Sequence, residues 1–373
     1  MIRSQESRTD PGSPDTVEAD DIPPYGGPWF DSPFFAQLLD RSDLSPGQRD
    51  EVARFAREGC LVLDRDRLGI SDFDALAQRI LRETSAIYRG AGRVQDAWMA
   101  SAAVRELALA PGILGLLERL YQREPVPFQT LNFPRGSEYS AHSDTFHVHC
   151  LPKFFVCGVW VALEDTNEDN GPLYYYPGSH RLADVDVLDL DAAGMLARRA
   201  GGLEASYSRF VERMLAASDL PVRRLAIHKG QALVWAANLY HGSEPVRDHT
   251  RTRHSQVIHY HFKDCLYYSP MRSDPARGRL AIRRVRNIRT GRYEPLRYHG
   301  RRIPVSLGER LHWYGPRVIQ GLRAWRWART VARCGQPPAV PLSPGLPEPA
   351  STRRCGRSAA LEVPKSRKRT LDG

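Results

Sequence analysis

From residue 125 onward the chain breaks into short runs of β-forming residues divided by turn signals, and this texture limits the fold more than any other feature. The runs are Phe128–Phe133, the stretch around His142, Phe154–Leu163, Leu173–Tyr176, Ala232–Trp235 and Ser255–Phe262, with Asn170-Gly171 as a strong turn between two of them. Strands this short and this frequent close into a barrel or a two-sheet jelly roll. Ser255–Phe262 reads as the last clear strand, and residues 183–222 as a helical insertion. Before residue 125 the periodicity is helical. Ser45-Pro46-Gly47-Gln48 opens a helix with a Ser cap, Pro at the first position and Gln at the third. Val52, Phe55 and Ala56 give it an apolar face, Gly59 ends it, and Cys60–Leu63 follows as a strand. Phe73, Leu76, Ala77, Ile80, Leu81 and Ile87 keep helical spacing; further helices run through Val104–Leu109 and, after Pro111, Ile113–Tyr121. Helices first and short strands after predict an α+β fold.

Composition sets boundaries around this core. Residues 1–27, rich in Pro, Gly, Ser and acids, read as disordered. Residues 28–332 read as one domain: a helical part over 28–124, a β core over about 125–262 and an Arg-rich extension over 263–332. Residues 333–373 read as a disordered, Pro-rich basic tail. No apolar run approaches the roughly 18 residues needed to span a bilayer, so no membrane partner is expected. The N-terminus has no apolar core of a secretion signal, which predicts a cytoplasmic protein. The six cysteines form no Cys-x-x-Cys pair, and a chain of 373 residues does not need a disulfide scaffold. The net charge of +10 is concentrated after residue 271: residues 272–302 hold eleven Arg against two acids, and 333–373 hold eight Lys or Arg against three. No nucleic-acid reading motif accompanies it, so no nucleic-acid partner is expected.

His142-Ser143-Asp144 is the candidate chemical centre. On an extended strand, residues i and i+2 point to one face, so this pair would aim an imidazole and a carboxylate at one point. A mononuclear iron(II) site needs that pair, one more His and open positions, and His241 in Tyr240-His-Gly-Ser is the candidate third ligand. Taken alone, the pair also fits a hydrogen-bonded surface contact. His147, His149, Cys150 and Cys157 match no zinc module, and strand alternation would scatter them. His147 is expected beside the metal, Trp160 in the core and His180 in a structural turn. His259 and His261 share a strand face without a carboxylate near in sequence and read as satisfied strand histidines.

Gln129-Thr-Leu-Asn132-Phe, His142-Ser-Asp144, Gly158-Val-Trp-Val-Ala-Leu-Glu-Asp165, Asn170-Gly-Pro-Leu, Pro177-Gly-Ser-His180, His241-Gly-Ser243 and Arg253-His-Ser occur in the order seen in the phytanoyl-CoA dioxygenase family of iron(II)/2-oxoglutarate oxygenases, which this chain resembles over about residues 125–262. The resemblance implies a double-stranded β-helix, a cupin-like jelly roll with flanking N-terminal helices, carrying Fe(2+) on His142, Asp144 and His241. It also implies 2-oxoglutarate and dioxygen as co-substrates, with hydroxylation or another oxidation of an unactivated C–H bond of a small organic molecule. The keto acid's distal carboxylate needs a fixed cation, and a guanidinium meets it with two prongs. By resemblance that cation is Arg253, with Arg251 the alternative. Ser243 would help hold the same carboxylate, and Gln129 and Asn132 would line the keto-acid pocket. A carboxylate at position 144 argues against halogenation, because related halogenases carry a small residue there. The substrate class is open: free, or tethered to coenzyme A or to an acidic carrier that suits the basic C-terminal third. A non-catalytic binder or a metal-dependent hydrolase or isomerase on the same fold are the alternatives. Oligomeric state is not legible.

Overall fold

The computed structural model describes residues 22–90, 92–190 and 202–304. The expectations for residues 1–21 and for everything after Pro304, including the basic tail, lie outside the described residues. Packing begins at Trp29 and Phe30, both buried, where Phe30 meets Phe55 and Tyr121 edge-on at 5.1 Å. Helix α1 spans Phe35–Asp40 and α2 spans Pro46–Glu58. The start of α2 carries a full capping box between Ser45 and Gln48, which satisfies two backbone N–H groups that would otherwise be orphaned. Its end is Gly59 at φ 74°, where a side chain would also collide with His180. Strand β1 is Cys60–Leu63, α3 is Phe73–Ile87 with Asp72 as its cap, and β2 is Val94–Gln95. Helices α4 (Ala102–Ala108) and α5 (Pro111–Tyr121) complete the helical part.

The strands that follow are β3 (Pro125–Phe133), β4 (His149–Leu151), β5 (Val156–Ala162) and β6 (Leu173–Tyr175). After helix α6 (Gly202–Ala217) come β7 (Arg223–Arg224), β8 (Ala232–Ala236), β9 (His241–Ser243) and β10 (Ser255–Phe262). Three short strands close the described chain: β11 (Leu266–Tyr268), β12 (Arg297–Tyr298) and β13 (Arg301–Arg302). A six-stranded antiparallel sheet has the order β1-β8-β5-β10-β3-β2, and a three-stranded sheet the order β7-β6-β9. Among the described residues, no helix is long and apolar enough to cross a membrane.

Register decides what faces inward. Leu131, Val257, Trp160 and Leu233 are direct partners across β3, β10, β5 and β8, and so form one row on one face. Two residues along, Gln129, His259, Gly158 and Trp235 form the next row on that face. Trp160, Leu233, Trp235, Val257 and Phe133 share an apolar cluster with Leu173 and Tyr175 of the three-stranded sheet, so this face is the interior between the sheets. Each large side chain buried there contributes roughly 1.5–3 kcal/mol. The opposite face packs on the helices: Gln256 Nε2 donates to Val104 O at 3.0 Å and the Tyr260 hydroxyl to Ala108 O at 3.0 Å.

Three expectations are corrected. Ser255–Phe262 is not the last strand, since β11 pairs with β4 and β12 with β13. The insertion is helical only over α6 among its described residues. Residues 183–190 bond locally instead: the Asp189 carboxylate accepts from Asp186 N and that of Asp186 from Leu188 N, turns that compete with a helix. Third, His142 and Asp144 do not share a regular strand. His142 makes an isolated antiparallel bridge with His241, and Asp144 opens a 3-10 turn through Phe146.

Candidate metal centre

The bridge does what a strand was expected to do. His142 N donates to His241 O at 2.9 Å and His241 N to His142 O at 3.0 Å, so two residues 99 apart in sequence lie side by side. Their rings are 4.6 Å apart. The 3-10 turn then brings Asp144 round beside them, and one ligand atom from each of His142, Asp144 and His241 lies within 4.8 Å of the others. Both histidines are oriented in the same way. His142 Nδ1 lies 2.9 Å from Ser140 O and His241 Nδ1 lies 3.0 Å from Leu239 O. A carbonyl can only accept, so each Nδ1 carries a proton, and in the neutral ring that leaves the lone pair on Nε2. Burial outweighs the attraction of Asp144 and lowers the His241 pKa to about 4, which keeps that ring neutral. Two neutral imidazoles and a carboxylate are the donor set for a divalent transition metal.

Asp144 is held by residues that sequence reading missed. Trp235 Nε1 donates to its Oδ2 at 2.8 Å, and His259 Nε2 lies 3.4 Å from the same oxygen. Oδ1 is on the His241 side, 4.0 Å from Nε2. Burial works to raise the carboxyl pKa, but His259 and His241 outweigh it and hold it well below the usual carboxylate range. Trp235 and His259 flank Gly158 in one sheet row, and Gly158 is what makes room. A Cβ there would lie 2.2 Å from Trp235 Cε2. His259 has no carboxylate near in sequence, and its partner Asp144 comes from a distant segment. His261 is fully buried, and among the described residues its ring nitrogens make no close hydrogen bond, the Phe155 backbone being the nearest partner, so its reading as a satisfied histidine is corrected.

The far side of the ligand segment is also tied down. Ser143 N donates to the Tyr207 hydroxyl of α6 at 2.9 Å, and the Ser143 hydroxyl donates to Ala237 O at 3.0 Å. The Thr145 hydroxyl donates to Asp184 Oδ1 at 3.1 Å, and His149 Nε2 lies 3.2 Å from Asp184 Oδ2. His149 is therefore committed to Asp184. His147 is half-buried, and its pKa is lowered by burial and then by His142.

Arg253 and Arg251 separate cleanly. Arg253 is 1% exposed, Nη1 donates to Gly171 O at 2.5 Å, and Nε has no hydrogen-bond partner among the described residues. Its guanidinium carbon is 5.8 Å from the Trp160 ring, one sheet row from Gly158. Burial lowers its pKa to about 10, leaving it charged at neutral pH. Arg251 instead points to the 167–169 turn, donating to Asn167 Oδ1 at 3.0 Å. Ser243 is buried, its hydroxyl oxygen accepting from Tyr139 N at 2.9 Å and lying 2.8 Å from the Ser137 hydroxyl. Gln129 stands in the row of His259 and Trp235. Asn132, three residues on, faces the other way and donates to Gln256 Oε1 at 3.1 Å on the helix side. It lines a separate cleft with Leu81, Thr84 and His254, so its expected place in the keto-acid pocket is corrected. Trp160 sits in the core as expected, and His180 Nε2 meets Ala56 O at 3.1 Å in a structural turn.

The sequence is similar to phytanoyl-CoA dioxygenase domain-containing protein 1 of Danio rerio, with 35% identity over 75 residues, 19% of this chain and 26% of that protein. The Mus musculus protein of the same name is 32% identical over 80 residues, 20% of this chain and 28% of that protein. The chain thus spans about a quarter of the length of the curated relatives it matches. Among solved structures, the non-heme alpha-ketoglutarate-dependent carbocyclase SnoK from nogalamycin biosynthesis superposes with a TM-score of 0.47 at 18% identity, covering 64% of this chain and 92% of that one. EctD from S. alaskensis, solved with 2-oxoglutarate and 5-hydroxyectoine, gives 0.44 at 18% identity over 62% and 81%. The family model for phytanoyl-CoA dioxygenase (PhyH) matches residues 56–255, more than half of the chain, and takes in His142, Asp144, His241 and Arg253. The chain belongs to the phytanoyl-CoA dioxygenase family.

Proposed function

We propose that this protein is an iron(II)- and 2-oxoglutarate-dependent dioxygenase acting on a small organic molecule, with residues 28–304 as one oxygenase domain built on a double-stranded β-helix. The observation that carries this reading is the convergence of two Nδ1-protonated imidazoles and one carboxylate within 4.8 Å, with both Nε2 lone pairs free. His142, Asp144 and His241 would hold the metal and leave three coordination positions open. Arg253 fits the distal carboxylate of the keto acid: it is a buried cation whose Nε has no partner, the kind of group a bound oxyanion satisfies. Ser243 and Gln129 would border the same site. When bound, iron(II) with 2-oxoglutarate supplies oxidation of an unactivated C–H bond by dioxygen, with loss of CO2 and formation of succinate.

The protein's own part is placement. The carbonyls of Ser140 and Leu239 fix the tautomer and angle of the two imidazoles. Trp235 and His259 occupy Oδ2 of Asp144, which leaves Oδ1 facing His241. The interior face around Trp160, Leu233 and Val257 is apolar and keeps bulk water from that side. The test is an anaerobic titration of the apo-protein with iron(II) and then 2-oxoglutarate, read by the visible charge-transfer band of the chelate. Wild type should develop the band and His142→Ala should not. Iron uptake without the band would move a binding protein or a metal-dependent hydrolase to the front, and no iron uptake would end the reading.

A further inference from the structure

Beyond His259, the interior row continues into a stack that ends at a cation without an acceptor among the described residues. The Phe128 ring centroid lies 6.2 Å from that of His259 and stacks on His261 at 4.3 Å, and His261 in turn lies 4.3 Å from Tyr267. The guanidinium of Arg283 sits over the other element of the stack, 5.7 Å from the Phe128 ring centroid. The chain reaches there by folding back along β11: Tyr268 bridges Ile282, Arg283 N donates to Tyr267 O at 2.8 Å, and Ser269 N to Ala281 O at 3.0 Å. Ser273 Oγ accepts from Ala281 N at 2.9 Å, so the turn that carries Arg272 is pinned to the segment that carries Arg283.

Neither guanidinium has a salt bridge or side-chain hydrogen bond among the described residues. Arg283 is half-buried, which is an unusual place for a cation without an acceptor. Burial and then the nearby Arg272 both disfavour its charge, and Asp96 opposes them. Asp96 does not pair with it directly, since its Oδ1 accepts from Thr130 N at 3.2 Å. Arg283, half-buried over Phe128 and without an acceptor among the described residues, lies on the segment to which the Arg272 turn is pinned, an arrangement that an oxyanion would complete.

We propose that Arg272 and Arg283 form a subsite for an anionic group of the substrate, a carboxylate or a phosphate, with Phe128 and His259 lying between it and the metal centre. This rests on the oxygenase reading above for its role, and on the missing acceptor of Arg283 and the pinned Arg272 turn for its existence. It gives the substrate a polarity: anionic end on the arginines, oxidisable carbon toward Asp144.

The experiment is a 31P NMR line-width titration of the full chain with inorganic phosphate. It compares wild type with Arg283→Gln, Arg272→Gln and, as a control, Arg292→Gln on the same basic segment. Arg283→Gln should weaken phosphate binding by about tenfold or more and Arg272→Gln by a few-fold, with Arg292→Gln unchanged. Because Arg272 is exposed, its substitution keeps the fold and holds the test open if Arg283→Gln does not fold. Manganese(II) should add paramagnetic broadening to the bound phosphate, and His142→Ala should abolish that broadening without changing phosphate affinity. Acetate that displaces phosphate assigns a carboxylate, and acetate that fails to displace it assigns a phosphate. Equal phosphate affinity in wild type and both variants overturns the subsite. Phosphate binding that depends on Arg283 in a protein that takes up no manganese would overturn the metal reading and leave the anion site standing.

Discussion

Replacing Trp235 with Phe removes one hydrogen bond from the proposed metal ligand and little else. The indole N–H reaches Asp144 Oδ2 at 2.8 Å in a fully buried setting, a bond to a charged acceptor. Such bonds contribute about 1.5–3 kcal/mol. Because that bond is made with and without metal, what its loss takes from metal binding is the orientation of the carboxylate, which for such a residue raises the metal dissociation constant roughly 10- to 100-fold. Phe also leaves a small void, but that cost is the same with and without metal and cancels in the difference. The assay is therefore paired: a cobalt(II) or anaerobic iron(II) titration, and thermal unfolding with and without metal at one fixed concentration. Metal-dependent stabilisation should shrink by about 1.4–2.7 kcal/mol while the metal-free protein changes independently. Gly158→Ala should act in the same direction, because its Cβ would drive into the indole. A Trp235→Phe protein whose metal affinity stays within about twofold of wild type would refute the idea that Trp235 sets the carboxylate.

Arg253→Gln should raise the 2-oxoglutarate dissociation constant by about 100-fold in the charge-transfer titration, whereas Arg251→Gln, engaged at the 167–169 turn, should stay within about twofold. Asn132→Ala should cost about 1–2 kcal/mol in denaturant unfolding through its lost bond to Gln256, with keto-acid affinity unchanged; a changed affinity would return Asn132 to the pocket. Burial, opposed by Arg181, lifts the Asp31 carboxyl to about 7, above its value of about 3.9 in the unfolded chain. The folded state then holds the extra proton, so stability should fall as pH rises from about 4 to 7, by on the order of 3 kcal/mol. Asp31→Asn should flatten that slope in urea titrations across this window.

The three candidate ligands are legible because their spacing and neighbours carry chemistry, although the local geometry differs from the strand that the spacing implies. A strand was expected to align His142 and Asp144, and a single bridge to His241 followed by a 3-10 turn aligns them instead. The element boundaries of α2, β1 and β10 were legible from caps and alternation, since those signals are local. Trp235 and His259 were not, because only the register of β8, β5 and β10 puts them in one row with Gly158 between. Searching for a carboxylate near His259 in sequence could not find one that arrives from residue 144. Asn132 is different: its odd spacing from Gln129 on one strand already implied opposite faces, and the alternation rule would have removed it from the pocket.

The bond between Ser143 and Tyr207 bears on how such an enzyme can be re-engineered. Segments like α6 are the natural ones to exchange when a new substrate is wanted, being added to the core rather than part of it. Here exchanging α6 with the stretch before it would take away the hydroxyl that accepts from the residue between two candidate metal ligands, and the Asp184 carboxylate that anchors Thr145. A chimera that keeps every ligand yet drops Tyr207 and Asp184 would inherit a slack ligand loop. Grafts into this chain should therefore be cut so that the donor segment supplies a hydroxyl and a carboxylate at those two places.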